Sequence, residues 1–198
     1  MGSHSAFFYG TLMAPEVLHR VCHGAHQPAQ FYKNLLKIRP ALLPGHRRHK
    51  VLGADYPAMI PCADRDACVR GTLVNGLTDG DVWRLDIFEG DEYERRKVKV
   101  EVLDDKGKKA GEEWDVETYI WIAGRSGLED DEWDFDEFVR DKMGRWVGRD
   151  GDSGFRDVED AVAAQRADPT GGRGVNGSIG RTLEESREGR RELLDNAV

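Results

Sequence analysis

Short apolar runs and polar breaks follow one another along the chain in a pattern that predicts mixed strands and helices. Ala6, Phe7, Phe8 and Tyr9 form a compact aromatic run that stops at Gly10, which predicts a buried strand ending in a sharp turn. Pro15 suits the first turn of a helix reaching about Cys22, with Val17, Leu18 and Val21 on one face. Residues 31–38 are strand-like, residues 41–43 are apolar, and Gly45 and Gly53 break the runs. Residues 56–61, bracketed by prolines, predict a short edge piece. Residues 67–74 predict a strand with Val69, Gly71 and Leu73 on one face. Thr78 and Asp79 cap a helix whose stripe is Val82, Leu85 and Phe88 and whose stop is Gly90. The clearest strand spans residues 93–103, where Val98, Val100 and Val102 alternate with Lys97, Lys99 and Glu101. Residues 116–122 return as its hairpin partner across the polar connection 104–111. Phe135, Phe138, Val139, Met143, Trp146 and Val147 recur at helical spacing up to Gly148.

Beyond Arg149 the chain turns rich in Gly, Arg, Asp and Ser. The expected organisation is therefore a tag remnant over 1–4, one α+β domain over 5–149 and an extension over 150–198. Within the extension, residues 157–167 and 182–194 read as helical and 171–180 as mobile. There is no internal repeat.

Charge and composition narrow the function. A net charge of -8 argues against a general nucleic-acid binder. Arg39, Arg47, Arg48 and Lys50 cluster locally and read as a solvated loop. Three cysteines, Cys22, Cys62 and Cys68, suit a reducing compartment without a disulfide framework. His19 and His23 lie one helical turn apart, but no HExxH pattern accompanies them, so no metal site is expected. No apolar stretch is long enough to span a membrane, and a soluble cytoplasmic protein is the default. No GxSxG elbow, Walker A loop or GxGxxG fingerprint occurs.

Two segments carry candidate chemistry. Tyr9, Gly10, Thr11, Leu12, Met13 and Ala14 join a strand to a helix through a Gly turn. Such a turn leaves backbone N–H groups free for a carboxylate or oxyanion, and Gly10 lets a ligand come close. A plain tight turn is the competing reading. In the second segment Glu89 sits at a helix end, where the partial negative charge of the terminus raises a carboxylate's pKa. Tyr93 and Arg95 share a face of the strand that follows. The competing readings are a solvated carboxylate at Glu89 and a surface ion pair at Arg95.

Taken in order, Phe-Tyr-Gly-Thr-Leu at residues 8–12, Leu-Asp-x-x-Glu-Gly-x-x-Tyr-x-Arg at 85–95 and Glu-Trp-Asp-Phe at 132–135 resemble the γ-glutamylcyclotransferase-like family, over roughly residues 6 to 148. The resemblance is greatest to the branch named for plant avirulence-induced proteins. It implies a small mixed β-barrel decorated by helices, with a pocket where the 9–14 turn faces Glu89. It further implies Glu89 as the catalytic acid/base, with substrate contacts from Tyr9, Gly10, Thr11, Leu12, Met13, Ala14, Tyr93, Arg95 and Tyr119. The implied substrate is a small molecule with a γ-glutamyl group, released as 5-oxoproline and free amine without metal or other cofactor. Glutathione-degrading relatives carry a Trp soon after the turn, where this chain has Met13 and Ala14. Two alternatives share the fold: a tailoring enzyme for another amide or ester, and a non-catalytic small-molecule-binding or stress-response protein.

Overall fold

The structure, a computed structural model, describes residues 2–24, 28–64, 66–147 and 153–167. Its strands are β1 (His4–Phe8), β2 (Lys37–Pro44), β3 (His46–Lys50), β4 (Pro57–Pro61), β5 (Cys68–Leu77), β6 (Tyr93–Leu103) and β7 (Lys109–Trp121). Five of them close a barrel in the order β1-β5-β2-β6-β7, while β3 and β4 pair as a separate two-stranded sheet. The barrel is mixed: β1 runs antiparallel to β5 and parallel to β7, with Ala6 opposite Glu117. The helices are α1 (Pro15–His23), α2 (Gln30–Lys33), α3 (Asp79–Glu89), α4 (Phe135–Glu137), α5 (Met143–Val147) and α6 (Ser153–Ala167). A π-helical turn, Phe138–Lys142, links α4 to α5.

Strand alternation divides the core in two. Phe7, Leu43, Leu73, Val100, Val102, Val116 and Ile120 belong to a cluster drawn from all five barrel strands. Ala6 and Phe8, of opposite parity to Phe7, join a second cluster with Val17, Leu18 and Val21 of α1, Leu85 of α3, Trp133, Phe138 and Trp146. Gly71 is required by packing, since a Cβ there would lie 2.2 Å from the Phe8 carbonyl oxygen and 2.6 Å from the Phe7 ring. The helix predicted from Thr78 has a full capping box: Asp81 N–H donates to Thr78 Oγ1 at 3.1 Å, and Thr78 N–H donates to Asp81 Oδ2 at 2.9 Å.

Several expectations change. Residues 31–36 are not strand; α2 occupies Gln30–Lys33 and β2 begins at Lys37. The run Phe31-Tyr32-Lys33-Asn34-Leu35-Leu36 lacks period-two alternation, and Phe31 and Tyr32 are exposed. The β7 strand starts at Lys109, well before 116, because β6 continues beside it with Trp114 opposite Val100 and Glu113 opposite Glu101. The basic cluster is no loop: Arg39 lies in β2, and Arg47, Arg48 and Lys50 lie in β3. Its charges are held by carboxylates distant in sequence, including Glu112 at Arg39, Asp64 at Arg47 and Glu132 at Arg48. β1 begins at His4, whose Nε2 lies 2.6 Å from Asp79 Oδ1.

By contact the chain forms two compact units, Met1–Arg156 and Asp157–Val198. In the first, Phe155 is buried against Phe88 and Trp146, with the Arg20 guanidinium 4.1 Å above its ring. In the second, the described residues are the remainder of α6. The helical stretch expected at 182–194, the mobile one at 171–180 and the stop at Gly148 lie outside the described residues. Among the described residues, no helix is long and apolar enough to cross a membrane.

Candidate active site

After β1 the chain makes a 3-10 turn, Thr11–Met13, and enters α1 at Pro15. Met13 N–H donates to the Gly10 carbonyl at 2.9 Å and Ala14 N–H to the Thr11 carbonyl at 3.1 Å. The N–H groups of Gly10, Thr11 and Leu12 precede the first of these bonds and have no partner within the turn. Tyr9, Thr11, Leu12 and Ala14 are buried as whole residues, while Gly10 and Met13 reach the surface in part. Gly10 has φ -122°, so it is not a left-handed turn residue. Its missing Cβ makes room for protein, since a Cβ would lie 2.8 Å from Cγ of Pro57 in β4.

Glu89 ends α3, and Gly90 closes the helix at φ 68°, donating its N–H to the Asp86 carbonyl. The Glu89 carboxyl touches solvent only in part and has no hydrogen-bond or ion-pair partner among the described residues. Burial lifts its pKa from 4.5 to about 8, and the Asp86 charge one helical turn back adds to the rise. Desolvation thus leads, where the sequence pointed to the helix end.

Three phenols lie close enough to Glu89 to feel its charge. Burial and Glu89 together raise the pKa values of Tyr9 and Tyr119, and burial, Tyr9 and Glu89 that of Tyr93. All three stay neutral donors. Tyr9 donates to the Tyr119 carbonyl at 2.8 Å, Tyr93 to the Pro57 carbonyl at 3.0 Å, and Tyr119 to Asp86 Oδ1 at 2.8 Å. The structure therefore brings Tyr9, Tyr93 and Tyr119 within electrostatic reach of Glu89. Arg95 faces Tyr119 across the β6–β7 ladder but does not stand free. Its Nε lies 3.2 Å from Asp86 Oδ1 and its Nη1 2.8 Å from Glu117 Oε2. It braces Asp86 in place.

Sequence reasoning missed Arg48. Its side chain is 10% exposed, and Nη1 donates to the Tyr9 carbonyl at 2.9 Å while Nη2 meets Glu132 Oε1 at 2.9 Å. The guanidinium lies 5.4 Å from the Trp133 ring centroid. A cavity of about 430 Å³ opens here, lined by Met13, Arg48, Arg70, Trp133, Phe135 and neighbouring carboxylates. The only signal in the sequence was the basic cluster itself. His19 and His23 face each other with Nδ1 atoms 3.0 Å apart. Among the described residues no three His, Cys, Asp or Glu side chains are grouped to hold a metal ion.

The chain is similar to known proteins over most of its length. A family model described as gamma-glutamyl cyclotransferase, AIG2-like, matches residues 6–135. AIG2-like protein B of Arabidopsis thaliana is 33% identical over 144 residues, covering 73% of this chain and 74% of its own length. Protein AIG2 C of the same plant is 30% identical over 136 residues, covering 69% and 72%. The solution structure of another Arabidopsis thaliana protein aligns with TM-score 0.53 at 25% identity, over 89% of this chain and 91% of its own.

Proposed function

The chain belongs to the gamma-glutamyl cyclotransferase, AIG2-like family, and on that premise we propose that it converts a γ-glutamyl amine into 5-oxoproline and the free amine, with Glu89 as acid/base. The observation that carries this reading is the Glu89 carboxyl itself, unpartnered and lifted to about 8 by burial. A group so placed exchanges protons near neutrality. Among the described residues no cation pairs with it, and the α-ammonium of a γ-glutamyl substrate would supply one.

The ion pair with the incoming ammonium favours ionised Glu89, which then accepts a proton from it. The freed amine attacks its own γ-carbonyl carbon. A C–N bond forms, the five-membered ring closes, and the carbonyl oxygen takes up negative charge. Backbone N–H groups of the 9–14 turn are the donors suited to that charge or to the substrate carboxylate. The tetrahedral centre then collapses, the original amide C–N bond breaks, and Glu89 returns its proton to the departing amine, which leaves as an ammonium once it also takes up the second proton lost by the ring nitrogen. The ring-closing attack is intramolecular, so holding the substrate in its cyclising conformation supplies much of the rate. Tyr9, Tyr93 and Tyr119 keep their protons and wall the site with fixed dipoles.

The test is a screen of γ-glutamyl amino acids and γ-glutamyl alkylamines for 5-oxoproline release. The wild-type protein should release it from at least one, and Glu89→Gln should not. Normal turnover by a folded Glu89→Gln protein would put the proton-transfer group elsewhere.

A further inference from the structure

We propose that Arg48 is a positioning residue of this site: it sets the direction in which the Gly10 N–H points. The inference rests on the cyclotransferase reading for what binds at the turn, but its geometry stands apart from that reading.

Arg48 comes from β3, outside the barrel, and reaches the turn from the side of the acidic segment 129–136. Its Nη1 donates to the Tyr9 carbonyl at 2.9 Å. The peptide between Tyr9 and Gly10 is planar and trans, so its C=O and N–H point in opposite directions. Fixing the carbonyl toward Arg48 therefore fixes the Gly10 N–H away from it. The next carbonyl, that of Gly10, is closed inside the turn by Met13 N–H. The Gly10 N–H is thus left as a directed donor.

The arginine is itself held on several sides. Glu132 binds Nη2 at 2.9 Å, and the indole of Trp133 lies beneath the guanidinium. Trp133 is fixed in turn by its Nε1 donating to the Asp55 carbonyl at 2.8 Å. The segment bearing both residues is laced to β3 by Glu129 N–H to the Lys50 carbonyl at 2.9 Å and Lys50 N–H to the Asp131 carbonyl at 3.1 Å. A planar fork suits this task, because one side chain holds a carbonyl and a carboxylate at the same time; a lysine ammonium presents no such fork. Its Nη1 also reaches the Arg70 carbonyl at 3.5 Å, but the shorter bond, 2.9 Å, is to Tyr9, and a largely buried cation kept there beside the candidate site is explained by orientation.

The experiment compares Arg48→Ala, Arg48→Lys and Glu132→Gln with wild type by three readouts: kinetics on a γ-glutamyl substrate from the screen, the Gly10 amide signal in an NMR titration with 5-oxoproline, and the melting temperature. Arg48→Ala should lose about 100-fold in kcat/KM, the scale of removing one oxyanion donor. Millimolar guanidine should restore part of that loss, and Arg48→Lys should recover less than guanidine does. The Gly10 amide should shift with 5-oxoproline in wild type and much less in Arg48→Ala. If Arg48→Ala does not fold, Glu132→Gln carries the test, with a loss of roughly 3–10-fold in kcat/KM, below that of the donor itself. Should the wild type turn over no γ-glutamyl compound, the cyclotransferase reading fails, and the Gly10 titration alone decides the role of Arg48. A folded Arg48→Ala protein with wild-type kinetics and an unchanged Gly10 response would overturn the proposal, as would a lowered melting temperature as its only defect.

Discussion

Two acidic segments flank the turn after β1, and they put their carboxylates to opposite use. Residues 86–94 include Asp86, Glu89, Asp91, Glu92 and Glu94; residues 129–137 include Glu129, Asp130, Asp131, Glu132, Asp134, Asp136 and Glu137. In the second, key carboxylates are engaged. Glu132 holds Arg48, Asp134 caps α4 by accepting from Glu137 N–H at 2.8 Å, and Glu137 lies 3.6 Å from Lys142. In the first, Asp86 is engaged by Tyr119 and Arg95, yet Glu89 one turn later has no such partner. Acidic density therefore says little about reactivity. Desolvation without a partner makes a carboxyl a proton shuttle; the same group with a partner becomes a brace.

The sharpest way to break this contrast is to neutralise one acid on each side. Glu89→Gln should lower turnover of a γ-glutamyl substrate about 10³-fold, within the range of general acid–base catalysis. Glu132→Gln should stay within tenfold of wild type in the same assay, on the reading that it acts only through Arg48. Equal losses from both would erase the distinction.

Stability offers the next largest effect. The native pKa of Glu89, about 8, lies above its ordinary 4.5. Below 4.5 both folded and unfolded chains hold the proton, and Glu89 costs nothing. Between 4.5 and 8 the unfolded chain releases it while the folded chain keeps it, so wild-type stability declines as pH rises. Glu89→Gln removes that decline. Its advantage over wild type should grow from pH 5 to pH 8, to a ceiling of roughly 4–5 kcal/mol set by the full shift. Urea unfolding at the two pH values measures it; a constant difference would mean that Glu89 is well solvated.

Asp86→Asn should act on Glu89 at a distance. The Asp86 charge helps to raise the Glu89 pKa. Removing it should move the limb of the pH–kcat/KM profile that reports Glu89 toward lower pH. A shift the other way would mean that Asp86 acts mainly through Tyr119. The smallest effect belongs to the structural acid Asp134: Asp134→Ala should lower stability by about 1 kcal/mol, the usual value of an N-cap. It should leave the pH profile untouched.

Much of this was legible where chemistry is local. The end of β1, the Thr78 cap, the Gly90 stop and the β6 alternation each depend on residues within a few positions, and each appears where expected. The segments around Glu89 and the turn were legible because their residues stand in order along the chain. Arg48 was not, since its partners Tyr9 and Glu132 lie 39 and 84 residues away. Nothing near Arg48 distinguishes it from Arg47, which pairs with Asp64 in solvent. Gly10 was read as a place where a ligand comes close, but what its missing Cβ makes room for is Pro57. Pro40 lies inside β2, and β6 pairs with β2 only at Ala41 and Leu42, so no ladder bond to β6 is lost at Pro40.

The parallel contact of β1 with β7 has a consequence for how the protein is made. Tyr9 and the Tyr119 carbonyl it binds are 110 residues apart. A ribosome adding about 5–20 residues per second needs on the order of 5–20 s to cross that interval. Counted from its emergence from the exit tunnel, the aromatic run Phe7-Phe8-Tyr9 waits that long for the strand that closes over it. β5 arrives first and can cover one edge; the other waits for β7. The turn after β1 is then among the last parts of the barrel to be fixed, although β1 precedes the other barrel strands along the chain.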